Sequence, residues 1–243
     1  MRLSDNCFAL LGFAYIPPWT VNAGFVVGQS YTLIVDAGPN TLAAATIHGY
    51  ATVARPTNAL LVINTEQHLD HIGGNDYFCQ QGLDVYGHPA WRRTDEELSD
   101  DVSEYNNSVP DSLRRQLQEG QIPFINTRIA NPNQFIREDT SFDLGGLTAQ
   151  IILTPGHTPT NLCVFVPDDG VLFCGDCLVR DYLPNLESGT TKEWKIWLDS
   201  LERIRALAPE IVVPGHGRVL QGEEIMLEME RIQQILKESI ARS

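Results

Sequence analysis

Four side chains that can bind a metal ion fall within six positions, directly after the apolar run 60–63. An apolar run followed by Gly-Gly predicts a buried strand that ends in a loop and then a helix. Unpaired polar groups are costly in a core, whereas imidazole and carboxylate groups bind divalent cations well. The pattern therefore favours a metal site over the alternative, a solvated loop rich in His and Asp. The four side chains are those of Glu66, His68, Asp70 and His71.

Three later segments repeat this arrangement, each with one metal-binding side chain just past a predicted strand. They contain His157 in Pro-Gly-His, Asp176 in Gly-Asp and His216 in a second Pro-Gly-His. Asp36 ends a further predicted strand, 31–37. The adjoining glycines let the backbone turn sharply. Because sites in α/β sheets form where several strands end at one edge, we expect these segments to converge on one cleft.

The distribution of the six histidines points the same way. Four of them belong to the segments just described. His48 lies inside an alanine-rich predicted helix and His88 precedes a proline, so we expect both to be structural. A single histidine at a strand end is often a core residue, but four in the same context favour a shared site.

The elements that must position these groups alternate between strand and helix, which indicates a layered α/β protein. Thr190 and Glu193 form a predicted capping box at the start of the clearest helix, 190–207. The other predicted helices are 39–53, 74–80 and 223–240. Predicted strands are 8–16, 22–28, 31–37, 60–64, 83–87, 135–136, 147–153, 162–166, 171–174 and 211–213.

One segment, at about 89–119, differs from the rest in being charged and helical in pattern. It predicts a helical insertion, either a lid or a solvated pair of helices. We find no repeat, low-complexity tract or linker, so we expect one domain over residues 1–243.

Composition narrows the class of function. The 31 acidic and 17 basic residues give a formal net charge of −14, which disfavours nucleic acid as a substrate. Five scattered cysteines form no disulfide framework, and neither a signal peptide nor a membrane-spanning run is recognisable. We therefore expect a cytoplasmic protein that acts on a small molecule, and the sequence gives no oligomeric state.

The ordered motifs, from Asp36 through the 66–71 block to Pro-Gly-His216, resemble those of the metallo-β-lactamase superfamily. The resemblance extends over nearly the whole chain. It implies an αββα sandwich, four layers deep, with metals at one edge between the two sheets.

The resemblance also implies a ligand set for two metal ions, with Zn²⁺ expected at both. Glu66, His68 and His157 would hold the first ion, and Asp70, His71 and His216 would hold the second. Asp176 would bridge the two ions, and Asp36 would orient a ligand.

Glu66 departs from the family pattern, which usually has His at this position. A carboxylate is a harder, anionic ligand, and it would favour Mn²⁺ or Fe²⁺ relative to Zn²⁺. The alternative is that Glu66 does not bind metal and leaves the first site weak.

The stretch 175–180, Gly-Asp-Cys-Leu-Val-Arg, is similar to one in the β-lactamase subclass that uses a Cys ligand. Cys177 is therefore either a metal ligand or a small buried residue. Arg180 falls where that subclass has a lysine that binds a substrate carboxylate. Asn185 is a candidate for polarising a carbonyl, and Trp19 lies in a predicted hairpin loop that is either a flap over the cleft or an ordinary turn.

The chemistry that fits is metal-assisted hydrolysis of a lactam, lactone, thioester or ester. Two cations lower the pKa of a water between them and stabilise the oxyanion, while Asp70 orients that water or accepts its proton. Glyoxalase II activity is disfavoured because only one predicted helix follows His216. The alternatives are an iron-dependent redox enzyme of the same fold and a protein with a degraded first metal site.

Overall fold

The computed structural model describes residues 1–14, 20–108, 127–187 and 189–243. Its first sheet is built from six described strands: Cys7–Ala14 (β1), Thr20–Val27 (β2), Tyr31–Val35 (β3), Ala59–Ile63 (β4), Asp84–Gly87 (β5) and Gln134–Phe135 (β6). They lie in the order β1-β2-β3-β4-β5-β6. Pairing is antiparallel from β1 to β3 and parallel from β3 to β6.

The second sheet also has six described strands: Thr140–Asp143 (β7), Thr148–Leu153 (β8), Leu162–Val166 (β9), Val171–Phe173 (β10), Ile211–Val213 (β11) and Leu220–Gln221 (β12). Their order is β12-β11-β10-β9-β8-β7. Only the β10–β11 pair is parallel among these described strands.

The two sheets enclose the largest apolar core, in which Val26 and Val35 of the first sheet share a cluster with Val164 and Phe173 of the second. Every one of these side chains is almost completely buried. Strands buried on both faces are rich in Val, Leu and Ile, which is the composition of these segments.

Helices cover both outer faces of the sandwich. The described α-helices are Thr41–Ala54 (α1), Leu69–Ile72 (α2), Asn75–Gln80 (α3), Asp95–Ser108 (α4), Thr191–Leu207 (α5) and Glu223–Arg242 (α6). Ile47 of α1 and Phe78 of α3 pack on the first sheet, whereas Trp197 of α5 and Met229 of α6 pack on the second. The layers therefore run helix, sheet, sheet, helix, and the predicted four-layer α/β sandwich is confirmed.

The capping box at the start of α5 is present as predicted. Thr190 accepts a hydrogen bond from the backbone of the first turn, and Glu193 accepts one from the backbone N–H of Thr190. Inside the helix, Trp197, Leu201 and Ile204 are buried on one face. Helix α5 thus has a fixed start and a fixed buried face.

The segment 89–119 is described only in part. A short 3-10 helix, Pro89–Trp91, leads to α4, and residues 109–119 lie outside the described part of the chain. Trp91 and Leu98 form a small core with Ile72 and Ile129. The described part of the segment, 89–108, is thus packed against the chain next to α2, while its role as a lid remains a prediction. No described helix is both long and apolar enough to cross a membrane.

Candidate metal centre

Five strand ends meet at one edge of the sandwich. Strands β3 and β4 are parallel and in register, so Asp36 and the 64–71 loop leave the first sheet side by side. Strands β10 and β11 are also parallel, which brings Asp176 beside His216. Strand β8 is antiparallel to β9, which is itself antiparallel to β10, so β8 also delivers His157 to this edge. The sequence motifs thus converge because the strands before them share direction.

All seven predicted metal ligands come together in two adjacent groups. The first ligand group is Glu66, His68, His157 and Asp176, and the second ligand group is Asp70, His71 and His216. Within each group, one ligand atom from every residue lies within 4.8 Å of the others. All but His68 are buried.

Asp176 lies between the two groups. Its Oδ2 is 3.5 Å from His157 Nε2 and 3.2 Å from His216 Nε2. Its Oδ1 is 3.3 Å from His71 Nε2. The carboxylate therefore faces ligands of both groups, which is the position a bridging residue requires.

Glu66 points into the centre rather than away from it. Its Oε1 is 2.8 Å from His68 Nδ1, 3.7 Å from His157 Nε2 and 3.4 Å from His71 Nε2. The side chain is fully buried. The position where the family usually has His is thus occupied by a carboxylate that lies among the other ligand atoms.

Hydrogen bonds fix the ring orientation of both histidines in the second ligand group. His71 Nδ1 is 2.9 Å from Asp36 Oδ2, and His216 Nδ1 is 2.7 Å from the carbonyl oxygen of Thr20. Since each acceptor requires a hydrogen on Nδ1, the lone pair of a neutral ring lies on Nε2, which faces the centre.

Asp36 is itself held from the other side. It accepts hydrogen bonds of 2.7 Å from the backbone N–H and from the hydroxyl of Thr65. Its φ of 65° is unusual for a residue other than glycine, and such strain is concentrated at functional sites. Asp36 therefore acts as a rigid link between strand β3 and the ring of His71.

Two residues that hold the ligands in place were not predicted from the sequence. Thr65 lies in the first motif but carries no charge, and Asn22 lies in an otherwise apolar strand. The Asn22 side-chain amide donates to the carbonyls of Pro214 and Gly217 at 2.9 and 2.8 Å, which fixes the loop that carries His216. A polar residue predicted inside a buried strand was the available signal.

Close packing leaves room only for glycine beside two of the ligands. A Cβ atom at Gly215 would overlap the Asp176 carboxylate, and one at Gly156 would overlap the backbone of Trp197. These glycines precede His216 and His157, so their small size decides where both imidazoles lie.

The charges within the cluster shift the pKa values of its histidines and carboxylates. Burial opposes the charged forms, but the charges of Glu66, Asp70 and Asp176 outweigh it and raise the pKa of His68 to about 9. Burial is likewise outweighed by Asp176 and Asp70 at His216, whose pKa rises to about 9. The same interactions hold the pKa of Glu66 and of Asp176 below the ordinary range, against the effect of burial. The three carboxylates thus favour positive charge among them, whether on the imidazoles or on bound cations.

Unsatisfied polar atoms show that metal ions fit these residues. His71 Nε2 and Asp176 Oδ1 are buried and lie 3.3 Å apart, yet neither forms a hydrogen bond of acceptable geometry with any described residue. His157 Nε2 and His68 Nδ1 are both imidazole nitrogens, and they lie 3.2 Å apart. Lone pairs aimed at a common centre are what a divalent cation requires, and imidazole and carboxylate are suitable ligands for it.

A cavity of about 630 Å³ opens onto the ligand groups. Its described lining consists of His68, Leu69, Asp70, Asp176, Val179, Leu183, Pro184, Asn185, Leu186, Glu187 and His216. The cavity contains the predicted substrate residue Asn185 and reaches both ligand groups. It is therefore the candidate substrate cleft.

Three other predicted residues lie elsewhere. Arg180 does not belong to the described lining of the cleft, and its guanidinium pairs with Glu228 at 2.5 Å. Cys177 is fully buried in the apolar cluster under α5, outside both ligand groups, which supports its reading as a small buried residue. Trp19 lies outside the described residues.

Comparison with known proteins agrees with the fold and the motifs. A beta-lactamase-like protein 2 homolog from Caenorhabditis elegans is 26% identical over 97% of this chain and 72% of its own length. A hydroxyacylglutathione hydrolase from Methylococcus capsulatus is 29% identical over 63% of this chain, and the match spans less than half, 45%, of that relative. Among solved structures, a metallo-beta-lactamase family protein from Thermus thermophilus has a TM-score of 0.71 at 20% identity, covering 98% of this chain and 81% of that one.

The family model described as the metallo-beta-lactamase superfamily matches residues 16–216, which is most of the chain. The match includes every residue of both ligand groups. The resemblance predicted from the ordered motifs is thereby confirmed, and the chain belongs to the metallo-beta-lactamase superfamily.

Proposed function

We propose that this protein is a metal-dependent hydrolase with two divalent cations, which opens a carbonyl substrate of the lactam, lactone, thioester or ester class. The observation that carries the proposal is the convergence of seven ligand side chains, four of which line an open cleft. Relatives named as hydrolases support hydrolysis as the reaction class.

The two ligand groups suit one cation each, with Asp176 between them. Zn²⁺ is the metal that the family resemblance favours, and the carboxylate of Glu66 makes Mn²⁺ or Fe²⁺ the alternative. When bound, such cations acidify water and stabilise negative charge on a carbonyl oxygen.

The protein's own residues supply positioning and proton transfer. Asp70 lines the cleft, and its Oδ2 is 3.3 Å from His216 Nε2, so it can orient an attacking water and accept its proton. Asn185 also lines the cleft and is placed to meet a substrate carbonyl or amide. Hydrolysis consumes one water, breaks the acyl bond and releases a carboxylic acid with an amine, alcohol or thiol.

The test begins with elemental analysis of the purified protein. It continues with turnover of a lactam, a lactone, a thioester and an ester, using the metal found. We expect about two metal ions per chain and turnover of at least one class, and we expect turnover to be lost in the His157→Ala variant. Absence of turnover across the panel with both metals bound would refute the proposal.

The same analysis separates the two alternatives. Iron in aerobically purified protein, with oxygen consumption in the presence of a persulfide, would indicate redox chemistry. Fewer than one metal ion per chain with no turnover would indicate a degraded first site. The burial of Glu66 among the other ligand atoms supports its binding a metal over a degraded first site.

A further inference from the structure

We infer that the substrate of this cleft carries an uncharged apolar arm, and that it lacks the carboxylate that β-lactam antibiotics present. The inference rests on the proposed hydrolysis and specifies its substrate. It follows from the side chains of the cleft wall, the signs of the charges around it, and the contacts of two nearby arginines.

Apart from the metal-ligand residues, Asn185 and Glu187, the cleft has an apolar wall. It is formed by Leu69, Val179, Leu183, Pro184 and Leu186. Leu183 is 73% exposed although it borders this concave surface. Several apolar side chains that line one concave site commonly mark a ligand surface. The described wall therefore offers burial to a hydrocarbon group.

The carboxylates of the described lining outnumber its cations. Apart from the two histidines, its ionisable members are Asp70, Asp176 and Glu187. Bound metal ions would neutralise the first two, which are proposed ligands, but Glu187 is exposed and also lines the cleft. The whole chain carries a formal charge of −14, so its field also disfavours an anionic arm.

Arg180, which the sequence motif suggested as a carboxylate-binding residue, is already engaged. Its Nη1 lies 2.5 Å from Glu228 Oε2, and its Nε lies 3.6 Å from Asp181. Glu228 is fully buried and also accepts a hydrogen bond of 2.6 Å from Arg231. Withdrawing Arg180 would leave Glu228 Oε2 buried without its partner, which is unfavourable even though Arg231 still pairs with Oε1. The guanidinium of Arg180 therefore stays paired with Glu228 of α6.

Arg93 is another arginine near the cleft, and it is engaged as well. Its guanidinium is 2.5 Å from Asp101 and donates a hydrogen bond of 2.7 Å to the carbonyl of Gln67. It lines a separate, shallower cavity that shares His68 and Leu69 with the cleft. Neither Arg180 nor Arg93 thus offers a free cation to an anionic arm.

The test compares two esters that differ only in the end of the acyl chain. The metal-loaded protein is assayed at pH 7 with 4-nitrophenyl hexanoate and with 4-nitrophenyl hydrogen adipate, and metal-stripped protein measures the background. We expect kcat/KM to be about tenfold or more higher for the neutral ester. Equal turnover, or preference for the anionic ester, would overturn the inference while leaving hydrolysis intact. Turnover of neither ester, nor of any other carbonyl class, would overturn the proposed function and the inference with it.

A pair of variants locates the effect in the cleft. Leu183→Lys places a cation on the wall, and Leu227→Lys makes the same change on α6, outside the described lining. Both leucines are exposed, at 73% and 62%, so both variants should fold. We expect Leu183→Lys to shift the preference towards the anionic ester by about fivefold or more, because the new cation lies beside the arm. The Leu227→Lys variant should keep the wild-type ratio. Equal ratios in the two variants would contradict the assignment of this wall to the substrate arm.

Discussion

The two ligand groups differ in how firmly their side chains are held. In the second ligand group, His71 is fixed by Asp36 and His216 by the carbonyl of Thr20. In the first, His157 Nδ1 forms no hydrogen bond within the described part of the chain, and the His68 side chain is 32% exposed. Ligands with fixed orientation lose less freedom when a metal binds, so the second ligand group should bind its cation more tightly.

The difference in chemistry reinforces the difference in rigidity. The first ligand group contains Glu66 where the family usually has an imidazole, and its cation would meet two carboxylates, those of Glu66 and Asp176. We therefore regard the first ligand group as the site at which metal identity varies, and the second as the site that stays occupied.

The largest effect should come from removing the carboxylate that faces both groups. In Asp176→Asn, one anionic ligand is lost from each, so we expect both cations to be weakened. We expect kcat/KM to fall by a factor on the order of 10² to 10³, the usual scale for losing a group that stabilises transition-state charge. Elemental analysis after dialysis and a turnover assay would measure this.

Asp168→Asn, an exposed position in the turn before β10, is the control and should keep wild-type metal content and rate. Loss of only one cation in the Asp176 variant would show that the carboxylate belongs to a single group. Asp176 would then have to be assigned to one ligand group only, and the comparison between the two groups would change accordingly.

Replacing Asp36 should weaken the second ligand group selectively. Asp36→Asn removes the charge that orients His71, and Asn tolerates the positive φ of this position, so the backbone need not move. We expect the affinity of the second cation to fall by about 10- to 100-fold, with a smaller change at the first. Competition with a chromogenic chelator gives both constants.

Asp181→Asn is a matched control, because Asp181 also has a positive φ, of 67°, and is exposed. Should the Asp36 variant weaken both cations equally, the rigidity of the second ligand group would not be what distinguishes it.

Glu66→His should change the metal preference of the first ligand group without affecting the second. It restores the imidazole usual in the family. Imidazole favours Zn²⁺ over Mn²⁺ more strongly than a carboxylate does. We expect the ratio of Zn²⁺ to Mn²⁺ affinity at the first cation to rise by about tenfold, with the second cation unchanged. Glu66→Gln, which keeps the size but not the charge, should instead weaken the first cation for both metals. An unchanged ratio in the His variant would argue that Glu66 does not bind metal.

The candidate centre could be predicted from the sequence because its proposed ligands follow strands whose ends are set by local patterns. Glycine next to a ligand, a buried apolar run before it and the order of motifs are all visible along the chain. The start of α5 at Thr190 was predictable for the same reason, since a capping box is local.

Contacts between distant parts of the chain were not visible in this way. Arg180 resembles a carboxylate-binding residue until helix α6, 48 positions later, brings Glu228 against it. Asn22 fixes a loop almost 200 positions away, which no periodicity reveals. The sequence thus indicated which residues could bind metal, whereas the orientation and availability of each side chain depended on tertiary packing.

The smallest effect should come from Thr65, whose hydroxyl lies 2.7 Å from Asp36 Oδ2 and, more distantly, 3.5 Å from Nδ1 of His71 in the second ligand group. Thr65→Val removes the hydroxyl hydrogen bond to Asp36 but keeps the backbone N–H bond to the same carboxylate. Because a single hydrogen bond contributes about 0.5–1.5 kcal/mol, we expect the second cation to bind about two- to tenfold more weakly. The first cation should be unaffected, and Thr148→Val at an exposed strand position should change neither. The same chelator titration measures all three proteins, and an effect as large as that of Asp36→Asn would mean that the hydroxyl, rather than the carboxylate charge, orients His71.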